Sequence, residues 1–145
     1  LTERNGAFLR YTRELIAFRK RHPTLTRRHF LTGRPESPGG EPDIRWHGVA
    51  LGVPPWNDPD GDAHGVLACT LAAAAPGEEP LHLALNLGDT DRELPVPAPA
   101  RGRWHTAIDT AAESPADIVP RAAQAPLAGA TVRVTARSVV VLEAR

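Results

Sequence analysis

The sequence predicts a mainly β protein, in which one N-terminal α-helix precedes an antiparallel β-sandwich of about seven or eight strands with Greek-key-like connections. Two observations lead to this fold class. Helical periodicity is confined to residues 6–22, and beyond residue 34 short apolar runs alternate with turns rich in Pro, Gly and Asp. The 145 residues suffice for one domain of this kind.

The helix is predicted over residues 6–22 because apolar side chains recur there at steps of three and four residues. Pro23 ends the helix, and the basic side chains of residues 19–22 suit the negative end of its dipole. The apolar stripe needs a partner, which is either the sandwich or a surface outside this chain. Its members are Phe8, Tyr11, Leu15 and Phe18.

Residues 34–42 are too rich in Pro and Gly for regular structure and are predicted to form a loop that leads into the sandwich. Residues 81–87 alternate strictly, which places four leucines on one face of a strand. Residues 139–142 are apolar on both faces, as is typical of a central strand, whereas residues 111–130 are predicted to be a long irregular connection. The predicted strands are Ile44–Trp46, Val66–Leu71, Leu81–Leu87, Glu93–Val96, Arg103–Ile108, Thr131–Thr135 and Ser138–Leu142.

The charges are balanced overall but segregated along the chain. Residues 1–34 carry nine basic and two acidic side chains, so the remainder is acidic by the same margin. Such asymmetry fits either a nucleic-acid-binding arm or two structural layers that attract each other. Because the same helix carries an apolar stripe, we favour the layers, predict no nucleic-acid partner, and keep nucleic-acid binding by the basic helix as a weaker alternative.

Neither a membrane span nor a disulfide is predicted. No apolar run approaches the ~18 residues that a span requires, so no membrane partner is expected. Cys69 is the only cysteine, and its apolar neighbours predict a buried free thiol. A reduced thiol fits a cytoplasmic location, which is the location we expect.

No residue pattern for catalysis or metal binding is recognisable. Residues 58–62 resemble the start of a calcium loop, but Ala63 and Cys69 stand where that loop needs glycine and glutamate, so we predict an acidic turn. The six histidines lack zinc-site spacing. Asp43 and Asp109, each near a tryptophan, are the carboxylates that we weighed for glycoside hydrolysis. We expect no catalytic residue, no metal and no cofactor.

Trp56 is the candidate substrate-binding residue. It lies in a predicted loop, where an indole ring could stack on a glucose ring. The alternative, which we favour, is that Trp56 packs on a neighbouring domain. Trp46 and Trp104 fall in predicted strands and are expected in the core.

Several blocks of this sequence resemble one enzyme family, in the same order. Leu9–Leu25 resembles the last barrel helix of the alpha-amylase superfamily. Asp43–Gly48 followed by Trp56–Pro59 is similar to the isoamylase and debranching branch, and Leu81–Asn86 and Ala136–Leu142 resemble later blocks of the same domain. Together they resemble the C-terminal domain of a glycogen-debranching enzyme of the isoamylase type.

The resemblance implies that residues 1–33 are the terminal helix of a catalytic (β/α)8 barrel with its connection, and that residues 34–145 are the C-terminal sandwich. The parent would be a retaining glycoside hydrolase that cleaves α-1,6 branch linkages in glycogen or limit dextrin. A barrel needs about 250 residues, so the parent's catalytic residues would lie outside this chain, which we expect to be a fragment. The implied role is structural and non-catalytic, with the barrel as intramolecular partner and α-glucan binding as the alternative.

Overall fold

The computed structural model describes residues 2–35 and 38–145, so residues 36 and 37 of the predicted loop lie outside the described residues. One helix, α1 (Glu3–Arg21), precedes seven strands in two antiparallel sheets, which confirms the mainly β fold. The larger sheet has the order β1-β2-β3-β7-β5, and β4 and β6 form the smaller one. The strands are β1 (Ile44–His47), β2 (Val66–Leu71), β3 (Leu81–Asn86), β4 (Arg92–Pro95), β5 (Trp104–Asp109), β6 (Thr131–Val134) and β7 (Ser138–Ala144).

The last strand lies inside the larger sheet. β7 pairs with β3 on one side and with β5 on the other, which confirms the central position predicted from its apolar run. Strands buried on both faces read as continuous apolar sequence, and Val140, Val141 and Leu142 are all buried. After β3 the chain crosses to the smaller sheet and then returns to the far edge as β5.

Each face of the larger sheet packs against a different layer. The inner face meets the smaller sheet, and the helix face meets α1. Because side chains alternate along a strand, Ala68 points to the inner face while its neighbour Cys69 points to the helix face. The inner cluster contains Val66, Ala68, Ala84, Leu94, Val96, Trp104, Val132, Val134, Val140, Leu142 and Ala144. The helix-face cluster contains Phe18, Ile44, Cys69, Leu71, Leu81, Ala107, Ile108, Ile118 and Val141.

Helix α1 begins at Glu3, three residues before the predicted start. The hydroxyl oxygen of Thr2 accepts a hydrogen bond from the amide of Asn5, which caps the first turn. Its predicted apolar stripe is divided, since Phe18 is buried against the sheet whereas Phe8 is 72% exposed. No helix within residues 2–35 and 38–145 has the length and apolar character that crossing a bilayer demands.

The connection between β5 and β6 protects one edge of the larger sheet. It is irregular, as predicted, apart from one short 3-10 turn, Arg121–Ala123. Its backbone nevertheless follows β5, because the amide of Thr106 donates to Ala125 and that of Val119 donates to Ala107. An unpaired strand edge invites pairing with other chains, and this connection occupies that edge.

Two predictions about core residues were wrong. Trp46 was expected in the core but is 38% exposed, because β1 is an edge strand with a neighbour on one side only. Trp104 is buried as predicted. Leu87 lies one residue beyond β3 and is exposed, so the strand carries three leucines on one face rather than four.

Candidate functional site

A buried carboxylate joins α1 to the sheet. Glu143 lies on the helix face of β7 and is fully buried. Its Oε1 accepts a hydrogen bond from Nη2 of Arg21 at 2.7 Å and lies 2.6 Å from Nε2 of His22, while its Oε2 accepts from the side-chain amide of Gln124. Burial alone would raise the pKa of Glu143, but the hydrogen bonds from His22, Gln124 and Arg21 prevail and lower it to about 2.

Ion pairs tie the two charged layers together near the middle of the helix and at its C-terminal end. Arg10 forms an ion pair with Asp117 in the β5–β6 connection, and Arg21 does so with Glu143. Just after the helix, the amide of Thr24 donates to Oε1 of Glu78 at 2.8 Å. Basic groups of the N-terminal segment therefore meet acidic groups of the sandwich, which supports the layered interpretation of the charge asymmetry.

Asp43 fixes the segment that leads from the helix to the sandwich. Its buried carboxylate accepts hydrogen bonds from the amides of Thr32 at 2.8 Å, Gly33 at 2.7 Å and Ile44 at 2.8 Å. Burial would raise the pKa of Asp43, yet these amide donors outweigh it and lower the pKa. The carboxylate thus has a structural role, as an anchor for the connection.

The two carboxylates weighed for hydrolysis are not brought together. Asp43 precedes β1 at one edge of the larger sheet, whereas Asp109 ends β5 at the opposite edge. The carboxylate of Asp109 accepts the amide of Ala111 at 3.0 Å, which closes a turn. A glycosidase needs its two carboxylates about 5–10 Å apart, and this pair does not provide them.

The acidic segment at residues 58–62 forms a local turn. The carboxylate of Asp58 accepts the amide of Ala63 at 2.6 Å and that of Asp60 at 3.3 Å. Within the described residues, no group of three or more His, Cys, Asp or Glu side chains is placed to hold a metal ion. Cys69 is a buried free thiol, as predicted, and burial raises its pKa to about 11. The thiol therefore stays protonated and unreactive at neutral pH.

Trp56 lies on the surface beside Trp46. Its ring is 62% exposed, and the two ring centroids are 5.6 Å apart in an edge-to-face arrangement. Trp46 belongs to the helix face, because its partner Cys69 lies in the helix-face cluster. We call Trp46 and Trp56 the tryptophan pair; the sequence indicated only the second member.

A second exposed apolar surface runs along α1. Phe8 and Ile16 are 72% and 51% exposed, and Leu9 and Leu15 are exposed as well. They form two pairs of residues, 8 with 15 and 9 with 16, each separated by seven positions or about two helical turns. All four therefore lie on one side of the helix. We call them the helix stripe. The stripe predicted from the sequence did not include Leu9 and Ile16, although the two residues are seven positions apart in the sequence.

Fold and surfaces together define the class of domain, a β-sandwich that carries an attached helix and exposed apolar side chains. No protein-family model matches the chain. The chain is similar to "Isoamylase 3, chloroplastic" from Oryza sativa subsp. japonica, with 29% identity over 146 aligned residues. The alignment covers all of this chain and 16% of the rice protein. This similarity confirms the resemblance to an isoamylase-type enzyme, of which the chain matches a small part.

The comparison also contradicts the cytoplasmic location expected from the sequence, because the rice relative is chloroplastic. The expectation depended on Cys69 as a single reduced thiol. A buried thiol shows that the chain forms no internal disulfide. It does not distinguish one reducing compartment from another.

The stability of the chain should depend on the ionisation of Glu143. Its pKa is about 2 in the folded protein, against an ordinary value of 4.5. As the pH falls, the unfolded chain therefore takes up this proton at a higher pH than the folded protein does. The contribution of the ionised carboxylate to the free energy of unfolding is therefore fully present above pH 4.5 and is lost as the pH falls towards 2. We expect this loss to be on the order of 3 kcal/mol.

Urea unfolding from neutral to acidic pH measures this loss. The variant Glu143→Gln keeps the side-chain volume but cannot ionise, so its stability should fall much less steeply in this acidic range. Glu93→Gln, at an exposed carboxyl of β4, is the matched control and should follow the unchanged chain. Equal acid dependence in Glu143→Gln and the unchanged chain would contradict the assignment.

Proposed function

We propose that this chain is the C-terminal accessory domain of an isoamylase-type debranching enzyme and contributes no catalytic residue. The parent would hydrolyse α-1,6 branch linkages in glycogen or limit dextrin, as a retaining glycoside hydrolase of the alpha-amylase family. The observation that carries the proposal is the similarity of the whole chain to a 16% portion of a rice isoamylase. The β-sandwich with its preceding helix fits the C-terminal place in such an enzyme.

The helix stripe is the surface that would pack on the parent's catalytic barrel. One side of α1 is already buried, through Phe18 and the contacts of Arg10 and Arg21 with the sandwich. The stripe lies on roughly the opposite side of the same helix and remains exposed. Full burial of a Phe, Leu or Ile side chain contributes about 1.5–3 kcal/mol, so four such residues supply enough energy for stable docking.

The tryptophan pair lies on the same side of the larger sheet as the helix stripe, and we call this side the docking side. Trp46 belongs to the helix face and Trp56 contacts it, so both lie on the side of the sheet that α1 only partly covers. This placement supports packing on a neighbouring domain. It leaves glucan stacking on Trp56 as a second candidate function, supported by the exposure of its ring. The alternative of nucleic-acid binding has less support, because Arg10 and Arg21 form ion pairs with acidic groups of the sandwich.

The isolated chain should show no debranching activity. A reducing-sugar assay with glycogen and with limit dextrin measures turnover directly, and the expected result is none. The gene should encode a (β/α)8 barrel upstream of the codon for Leu1. Turnover by the 145-residue chain would contradict the non-catalytic role, and the absence of an upstream barrel would contradict the proposed parent.

The isolated chain should self-associate through the helix stripe. Sedimentation velocity over a range of concentrations should show association, because four apolar side chains are exposed on one side of α1. The double variant Phe8→Ser/Ile16→Ser should shift the chain towards monomer. Leu51→Ser, at an exposed leucine in a turn outside the stripe, is the control and should leave association unchanged. A chain that stays monomeric at every concentration would contradict the role of the stripe.

Affinity electrophoresis in glycogen gels tests the second candidate function. If Trp56 stacks on glucan, the unchanged chain should be retarded and Trp56→Ala should lose most of that retardation. Trp56→Phe keeps an aromatic ring and should retain part of it. Unretarded migration of the unchanged chain would remove glucan binding by Trp56 and leave packing on a neighbouring domain.

A further inference from the structure

A cavity of about 290 Å³ opens at one end of the sandwich. It lies on the inner-face side of the larger sheet, between the ends of β1 and β2 and the connection from β4 to β5. Four prolines and four alanines form its walls, which are therefore rigid and apolar. Its other lining residues are Glu41, Arg45, Thr70 and Trp104.

An ion pair stands at the rim of the cavity. Nη2 of Arg45 donates to Oε2 of Glu41 at 2.8 Å, and both side chains are exposed to solvent. The rim has no net charge, so a charged ligand gains little from it. A guanidinium donor beside a carboxylate acceptor instead suits a neutral ligand that presents two adjacent hydroxyl groups.

The hydroxyl of Thr70 contacts two histidine rings. The amide of Gly52 donates to Nδ1 of His47 at 2.9 Å, so the proton of this ring is on Nε2. That Nε2 lies 3.0 Å from the oxygen of Thr70 and donates to it. The oxygen of Thr70 also lies 2.9 Å from Nδ1 of His82, so the hydroxyl is hydrogen-bonded to both rings.

The rings of His47 and His82 are neutral. Burial lowers the pKa of His82 to about 3, with a smaller effect from His47, and burial followed by the charge of Arg45 lowers the pKa of His47. A hydroxyl has one proton and two lone pairs, so Thr70 can form one further hydrogen bond with a ligand in the cavity that it lines. Within the described residues, the remaining ring nitrogen of His82 has no hydrogen-bond partner, and the ring lies beside Trp104.

We propose that this cavity binds one neutral pyranose ring, with Arg45 donating to one hydroxyl, Glu41 accepting from a second, and Thr70 forming a hydrogen bond with a third. The proline and alanine walls would contact the carbon-bound hydrogens of the ring. A volume near the lower limit of ~300 Å³ for ligand pockets suits a single ring rather than a longer chain. The identity of the sugar as a glucosyl unit rests on the proposed function.

The site is separate from the proposed docking side. Thr70 shares the inner face with Ala68, whereas the helix stripe and Trp46 lie on the other side of the larger sheet. Covering α1 with a catalytic barrel therefore leaves the cavity open. A glucan end could occupy the cavity while the domain stays docked.

The test uses the ¹⁵N-labelled 145-residue chain and the indole N–H signals of its three tryptophans. Titration with maltose should move the signal of Trp104, at the cavity, and leave those of Trp46 and Trp56 in place. Arg45→Ala should weaken binding by at least about tenfold, since it removes a charged donor. Ala73→Phe fills the cavity and should abolish maltose binding. The control is Arg133→Ala, at the exposed ion pair with Asp91, which should leave maltose binding unchanged.

An unchanged Trp104 signal would overturn the proposal, as would an equal response to sorbitol, which has adjacent hydroxyls but no ring. Movement of Trp46 and Trp56 alone would overturn the cavity site while supporting glucan stacking on Trp56. None of these results bears on the upstream barrel or on debranching turnover. Failure of the cavity site is therefore distinguishable from failure of the proposed parent enzyme.

Discussion

The arrangement of this domain depends on the carboxylate of Glu143, which is buried between the helix and the sheet. Three donors from two separate segments converge on it: Arg21 and His22 at the end of the helix, and Gln124 in the β5–β6 connection. A buried charge that loses its partners costs about 3–5 kcal/mol, so the helix end and the connection are both held where the carboxylate is satisfied. The rotation of the helix follows from this, and so does the side on which its apolar stripe is left exposed.

The central sheet separates two kinds of surface. Its helix face combines a buried half, around Phe18 and Val141, with an open half that carries the tryptophan pair. Its inner face is closed by the smaller sheet except at one end, where the cavity opens. A single strand contributes to both surfaces: in β1, Arg45 lines the cavity, while its neighbour Trp46 lies on the helix face. Alternation along one short strand thus places neighbouring residues on two separate surfaces of the domain.

The strands could be predicted from the sequence because their signals are local. Period-two alternation and the Pro, Gly and Asp turns that bound each strand depend on neighbours along the chain, and the bounds of β2 were predicted to the residue. Exposure could not be predicted in the same way. Trp46 has the sequence context of a core residue and is exposed on an edge strand, and strand order is not visible in the sequence. Likewise, the structural roles of Asp43 and Glu143 could not be predicted, since the amide of Gly33 and the guanidinium of Arg21 that satisfy them come from other segments.

The central place of β7 bears on the order in which the chain folds. β1, β2 and β3 are consecutive in the sheet and can pair as soon as they are made, but β5 has no neighbour in the larger sheet until β7 is available. Synthesis from the ribosome delivers β7 after every other strand, and pairing between distant segments is slow. Until then two apolar strand edges stay open to the wrong partners. A neighbouring domain that has already folded would shelter this nascent sheet as well as cover the finished one.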